Sequence, residues 1–114
     1  MKQAKPKTRR EFPEKVREAI KERDGGCIFC KMGYMVDDEC GYYLQVMHYV
    51  GRAQGGLGVE RNGAWGCAKH HAMLDNSGKH KQMKKMFAEY LKGLYPDWDP
   101  KELKDNKWKG FTIS

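Results

Sequence analysis

Two short pairs of potential metal ligands, far apart in the chain, limit most strongly how this sequence can fold. Cys27 and Cys30 form one pair, and Cys67 and His70 form the other, each with two residues between its members. Zinc prefers four sulfur or nitrogen ligands in a tetrahedron, and a two-residue gap lets both side chains of a pair reach one ion. The pattern therefore predicts a structural zinc site that closes the intervening chain into one loop.

The same four residues could also bind no metal, in which case the cysteines would be buried free thiols and the histidine would lie on the surface. Cys40 is the remaining thiol and could replace His70 as a ligand, but it creates no second short pair, so we leave it outside the predicted site. A zinc site of this kind contributes on the order of 10 kcal/mol to folding. With 32% charged residues the apolar core is small, so we expect the chain to need such a staple.

Length and charge set further limits. At 114 residues the chain has room for one domain. The net charge of +7 favours a polyanionic partner, nucleic acid before a membrane surface. No apolar run has membrane-spanning length, and no signal-peptide segment follows the basic N-terminus. We therefore expect a cytoplasmic protein, in which paired cysteines hold metal more often than they form disulfides.

The first part of the chain, residues 1–12, is predicted to be a flexible basic arm. It carries five basic residues, which are Lys2, Lys5, Lys7, Arg9 and Arg10. Almost nothing in it is apolar, so it has little to bury. Such an arm either keeps the protein in solution or lies along phosphates and orders on binding. Residues 13–114 then form the single domain.

Apolar periodicity and turn residues predict an α+β domain. The expected elements, in chain order, are a helix over 13–23, strands over 42–50 and 59–66 joined by a glycine-rich loop over 51–58, and a helix over 67–75. An amphipathic helix with a buried methionine and aromatic stripe should follow and end at Pro96. One more turn over 100–104 is expected, with Trp98, Trp108 and Phe111 holding the tail.

A second set of polar residues accompanies the metal ligands. His71 and Asp75 are four residues apart in the predicted helix, so they lie on one face and can share a divalent cation. His70 lies about 100° further round the helix, where it can serve the zinc. His48 ends the first strand, and Asn62 offers a side-chain amide that can orient a neighbour.

In this order and spacing, these residues resemble the HNH endonucleases, the zinc-stapled branch of the ββα-metal nucleases. His48, Asn62 and His71 match the three positions that define the family, and Asp75 matches a further helix ligand of some members. Arg52 with glycine-rich residues 55–58 is similar to phage and prophage versions. The match covers about residues 24–78. It implies a hairpin and helix that form the ββα-metal unit, between an N-terminal helix and a C-terminal helical extension over 79–114.

The resemblance also implies roles. His48 would be the general base, Asn62 would position it, and Arg52 would grip a phosphate. His71 and Asp75 would hold a catalytic Mg²⁺ or Mn²⁺ ion, while the four-ligand set would hold a structural Zn²⁺. The implied activity is hydrolysis of a DNA phosphodiester, with DNA contacted mainly through its backbone phosphates.

Two positions depart from the family pattern. Met47 stands where an Asp or His commonly helps to bind the catalytic metal, and His70 stands where a fourth cysteine is common. Met47 keeps a second hypothesis open, a non-catalytic zinc-containing module that binds nucleic acid. A zinc-dependent protein–protein adaptor is a third.

Overall fold

The computed structural model describes residues 10–76 and 78–104. Its elements in chain order are α1 (Glu14–Asp24), α2 (Ile28–Lys31), β1 (Gln45–His48), β2 (Gly63–Gly66), α3 (Ala68–Asn76) and α4 (His80–Leu94). Single 3₁₀ turns cover Arg52–Gln54, Glu60–Asn62 and Pro100–Leu103. The predicted α+β class is therefore confirmed, whereas Trp108 and Phe111 lie outside the described residues.

The two strands form an antiparallel hairpin in which His48 is opposite Gly63 and Met47 is opposite Ala64. Both strands are shorter than the sequence predicted. Where the first strand was expected to begin, the carbonyl oxygen of Tyr42 accepts a hydrogen bond of 3.0 Å from the backbone N–H of Ala68. Tyr42 therefore pairs with the start of α3 instead of the sheet. Before the second, the chain forms a 3₁₀ turn that ends at Asn62.

A buried carboxylate joins α1 to the hairpin and to α4. Asp24, the last residue of α1, is fully buried and pairs with the guanidinium of Arg23 at 2.7 Å. It also accepts hydrogen bonds from the backbone N–H of Trp65, at 2.8 Å, and from the hydroxyl of Tyr90. Since a buried charge is stable only when its hydrogen-bonding capacity is met, this node fixes how the three elements pack.

Most of the apolar stripe of α4 packs into the core, as its periodicity predicted, but its last residue, Leu94, is exposed. Met83, Phe87 and Leu91 are fully buried. Trp98 follows the helix, is also buried, and donates from its indole nitrogen to the carbonyl oxygen of Arg61 at 2.7 Å. Among the residues that the structure describes, no helix is both long and apolar enough to cross a membrane.

Residues 10–12, which the sequence assigned to the flexible arm, pack against the hairpin. Phe12 is only 6% exposed, and its ring centroid lies 4.2 Å from that of His48. Burial of this aromatic ring favours the packed arrangement, because it offsets part of the cost of ordering the short segment. The rest of the predicted arm, residues 1–9, lies outside the described residues.

Candidate functional site

The four predicted zinc ligands converge. Cys27 immediately precedes α2 and Cys30 lies within it, while Cys67 immediately precedes α3 and His70 lies in its first turn. Their ligand atoms all lie within 4.8 Å of one another, and three of the four residues are buried. These residues could therefore hold a metal ion. Cys40 is outside the group, as the sequence predicted.

The spacing of these atoms fits a tetrahedral zinc site. With ligand bonds of about 2.3 Å for sulfur and about 2.05 Å for nitrogen, the sulfur–sulfur and sulfur–nitrogen edges of a tetrahedron measure about 3.8 and about 3.6 Å. The Sγ atoms of Cys30 and Cys67 are 3.8 Å apart. Nδ1 of His70 lies 3.6 Å from Sγ of Cys27 and of Cys30, and 3.3 Å from Sγ of Cys67. These four distances are thus close to the edges of a tetrahedral site, and all of the ligand atoms lie within 4.8 Å of one another.

Hydrogen bonds around the group favour the metal-binding forms of two ligands, His70 and Cys67. Nε2 of His70 donates to the carbonyl oxygen of Tyr34 at 2.7 Å, which leaves Nδ1 with the free lone pair that a metal needs. Burial acts to raise the pKa of Cys67, but hydrogen bonds from the backbone of Gly41 and His70 outweigh it and bring this pKa down to about 6. These hydrogen bonds favour the thiolate form of Cys67, which is the form that binds metal.

A separate cleft brings together the other predicted residues. It has a volume of about 510 Å³, and its walls include His48, Arg52, His71 and Asp75. These side chains come from the end of β1, the following 3₁₀ turn and α3. Helix α3 thus presents His70 to the metal-ligand group and the next residue to the cleft, as the 100° rotation per residue predicted.

His48 is held at the edge of this cleft by the segment before α1. Its Nε2 atom lies 2.7 Å from the carbonyl oxygen of Arg10, and its ring packs on Phe12. Because a carbonyl oxygen only accepts, Nε2 of the neutral ring carries the proton and Nδ1 is the unprotonated nitrogen. Burial lowers the pKa of His48; the Arg10 carbonyl opposes this shift, and the charges of Arg52 and His71 add to it.

On α3, His71 and Asp75 form a pair suited to a cation. Nε2 of His71 lies 3.6 Å from Oδ2 of Asp75. Neighbouring ligands of an octahedral cation at about 2.1 Å are about 3.0 Å apart, so a small rotation of the carboxylate suffices. The side chain of Asp75 is 61% exposed and is free to make that rotation.

Arg52, the predicted phosphate ligand, is paired with a carboxylate that the sequence did not single out. Its guanidinium lies 3.1 Å from the side chain of Glu11, and both side chains are about half exposed, at 56% and 50%. The pair lies in the wall of the cleft beside His48. An anion entering the cleft would therefore compete with Glu11 for Arg52.

Asn62 has a different set of partners from the one expected. Its side chain is fully buried, and its Oδ1 accepts from the backbone N–H of Val50 at 2.7 Å. Its amide nitrogen donates to the carbonyl oxygens of Val50, at 3.1 Å, and Leu57, at 2.8 Å. These bonds hold the chain that leaves β1 immediately after His48. Any effect of Asn62 on His48 is therefore transmitted through the backbone.

Met47, the departure that the sequence marked as weakening the catalytic metal site, does not line the cleft. Its side chain is fully buried in the core. Successive side chains of a strand point to opposite faces, so Val46 and His48 share the cleft face while Met47 lies on the other. Residue 47 therefore does not lie on the side of the hairpin that faces the cleft, where the resemblance implies a ligand of the catalytic metal.

Sequence reasoning missed six residues of the cleft, three of which, Glu11, Phe12 and Arg17, come from the N-terminal part of the described chain. Arg17 projects from α1 and donates from Nε to the carbonyl oxygen of Phe12 at 3.1 Å. The one signal available was Phe12 itself, an isolated aromatic residue between a charged arm and a proline. No protein-family model, protein of curated function or solved structure matches this chain.

Proposed function

We propose that this protein is a metal-dependent DNA endonuclease of the HNH type, which hydrolyses phosphodiester bonds. One observation supports the proposal: His48, the candidate base, shares one cleft with Arg52, His71 and Asp75. General base, anion contact and cation are the three requirements of assisted phosphodiester hydrolysis.

His48 is the proposed general base. Its Nδ1 atom takes a proton from the water molecule that attacks phosphorus in line with the leaving 3′ oxygen. Two features suit it to this role. The Arg10 carbonyl keeps the ring proton on Nε2, and burial lowers the pKa, so the ring is neutral and able to accept a proton at physiological pH.

Arg52 is the proposed phosphate contact. Its guanidinium can donate to two oxygens of one phosphate. An exposed ion pair is worth only about 0–1 kcal/mol, so a phosphate can replace Glu11 as its partner. Asn62 contributes by holding the backbone at Val50, two residues beyond the base.

His71 and Asp75 would hold the catalytic cation, Mg²⁺ or Mn²⁺. When bound there, the ion supplies positive charge that stabilises the phosphate oxygens and the leaving oxygen in the transition state. An imidazole in the ligand set favours Mn²⁺ relative to Mg²⁺.

Zinc in the group formed by Cys27, Cys30, Cys67 and His70 is proposed to be structural. All four protein ligands are used, which leaves no open position for a substrate. Its role is to join α2 to the start of α3, and thereby to place His71 and Asp75 against the hairpin.

DNA is the proposed partner, bound mainly through its phosphates. The net charge of +7 supplies the attraction, and the basic residues of 1–10 and exposed lysines of α4 supply contacts. The exposed lysines are Lys81, Lys85 and Lys92. Lys84 is excluded from this set, because its Nζ atom donates to the carbonyl oxygen of Tyr49 and lies 4.3 Å from the centre of the Tyr49 ring.

The decisive experiment is nicking of a supercoiled plasmid in Mg²⁺ and in Mn²⁺. We expect wild-type protein to nick, and His48→Ala to lose about 10²- to 10⁴-fold in rate, the usual contribution of a general base. His80→Ala is the matched control, since this histidine lies outside the cleft. Salt-dependent DNA binding without cleavage in either metal would instead support the non-catalytic zinc-containing module.

A further inference from the structure

We propose that the segment Arg10–Phe12 is a positioning element for His48, so that the reactive orientation of the base depends on residues that precede the first helix. This inference rests on the proposed function. It concerns a part of the chain that lies before the region resembling HNH nucleases, and it assigns the segment a role other than DNA attraction.

Two contacts with different geometric effects carry the proposal. The carbonyl oxygen of Arg10 accepts a hydrogen bond from Nε2 of His48 at 2.7 Å, which fixes the direction of one ring nitrogen. The Phe12 ring packs against the imidazole with centroids 4.2 Å apart and planes inclined at 40°, which limits rotation of the ring. Together they leave His48 one orientation, with Nδ1 as its proton acceptor.

The segment itself is fixed by close packing on the hairpin. A Cβ atom at Gly63 would lie 2.7 Å from Cζ of Phe12, and one at Gly58 would lie 2.0 Å from the carbonyl oxygen of Glu11. Any other residue at these positions would displace the segment. The carbonyl oxygen of Phe12 also accepts from Arg17, and Glu11 pairs with Arg52. The segment is thus held by α1, by the loop between β1 and β2, and by β2 itself.

The energetic role of these contacts is preorganisation. A histidine at a strand end rotates about two side-chain bonds, and an imidazole displaced by about 1 Å from its reactive position can cost on the order of a hundredfold in rate. A hydrogen bond and a packed ring remove that freedom before substrate arrives. These contacts act on the imidazole, whereas Arg52 is the proposed phosphate contact, so their loss should lower kcat much more than it raises KM.

The test is Phe12→Leu, which keeps an apolar side chain but removes the aromatic ring from His48. We expect kcat for plasmid nicking to fall about tenfold to a hundredfold, with KM changed by less than about twofold. Phe87→Leu is the matched control. Phe87 is a fully buried aromatic residue outside the cleft, so this variant should lose stability while keeping kcat at a temperature where it is folded.

A second measurement does not depend on cleavage. Side-chain ¹⁵N NMR of the zinc-bound protein should show His48 as a single tautomer with a slowly exchanging Nε2 proton. In Phe12→Leu that proton should exchange at least about tenfold faster, as expected when the imidazole is no longer held in one orientation. His48→Ala that cleaves normally would refute the proposed function, and the NMR comparison would still decide whether the segment orients the ring. Unchanged exchange in Phe12→Leu, or an unchanged kcat despite faster exchange, would overturn the positioning role.

Discussion

Met47 and His48 are consecutive in β1, yet their side chains lie on opposite faces of the hairpin. Met47 is fully buried against the core, and Gly66 on β2 leaves room for it: a Cβ there would lie 2.4 Å from the Met47 sulfur. His48 lines the cleft. Met47 is therefore not placed to be a third ligand for the proposed cation, whereas Val46 lies on the face that holds His48 and lines the cleft.

This relationship predicts different outcomes for two neighbouring substitutions. Met47→Asp would bury a carboxylate without a partner and should lower the free energy of unfolding by about 3 kcal/mol or more. Val46→Asp places the same group in the cleft, so we expect a folded protein that reaches half-maximal nicking at a lower Mg²⁺ concentration. Denaturant unfolding and metal titration measure the two effects. A stable Met47→Asp variant that needs less Mg²⁺ for half-maximal nicking would show that residue 47, and not residue 46, faces the cleft.

The parts of the site that depend on short spacings could be predicted from the sequence. A two-residue gap forces Cys27 and Cys30 together, and a four-residue step places His71 and Asp75 on one helical face. The hairpin was predicted as well, because its strands are apolar and its loop is rich in glycine. The length of its first strand was not predicted, because the carbonyl oxygen of Tyr42 pairs with α3 and no local sequence pattern indicates that hydrogen bond.

Contacts between distant segments were not predictable in the same way. The packing of Phe12 on His48 and the pairing of Glu11 with Arg52 join residues far apart in the chain, in a segment whose composition indicates an unfolded arm. The partners of Asn62 were missed for a related reason: its side chain completes backbone hydrogen bonds in an irregular loop. The orientation of Met47, by contrast, follows from the period-two alternation of a strand.

The metal-ligand group predicts one tightly bound zinc ion per chain. Cys27→Ser should remove a ligand, lower the zinc content measured by elemental analysis, and prevent folding or solubility, because zinc contributes on the order of 10 kcal/mol in such sites. Cys40→Ser is the matched control, since Cys40 lies outside the group and should tolerate the change. A folded wild-type protein without zinc would contradict the prediction.

The depressed pKa of His48 predicts how cleavage depends on pH. The neutral imidazole is the active form, so kcat/KM should rise with pH through a midpoint below the usual 6.5 and then level off, because burial favours the neutral ring. The charge of Arg52 acts in the same direction, so Arg52→Gln should move the midpoint upward. Initial rates from pH 5 to 8 measure both. A midpoint well above 6.5 in the wild type would indicate that a different group titrates.

Release of Arg52 from Glu11 should strengthen DNA binding. Glu11→Gln removes the competing carboxylate from the cleft, and an exposed ion pair of about 0–1 kcal/mol corresponds to a gain of up to about fivefold in affinity. Glu14→Gln changes the net charge by the same amount on an exposed residue outside the cleft, so it isolates the general charge effect. Fluorescence anisotropy with a short duplex compares the variants. Equal gains in both would show that Glu11 has no specific role at Arg52.

The basic residues before the positioning segment predict the salt dependence of binding. Deletion of residues 2–9 removes Lys2, Lys5, Lys7 and Arg9 but keeps Arg10–Phe12 against His48. If each of the four contacts a phosphate, the slope of log K against log salt concentration should fall in magnitude by about 3 to 4. Because the contacts to His48 remain, kcat at saturating DNA should be preserved while KM rises. An unchanged slope would assign the arm to solubility alone, and a lost kcat would mean that residues 2–9 also support the orientation of the base.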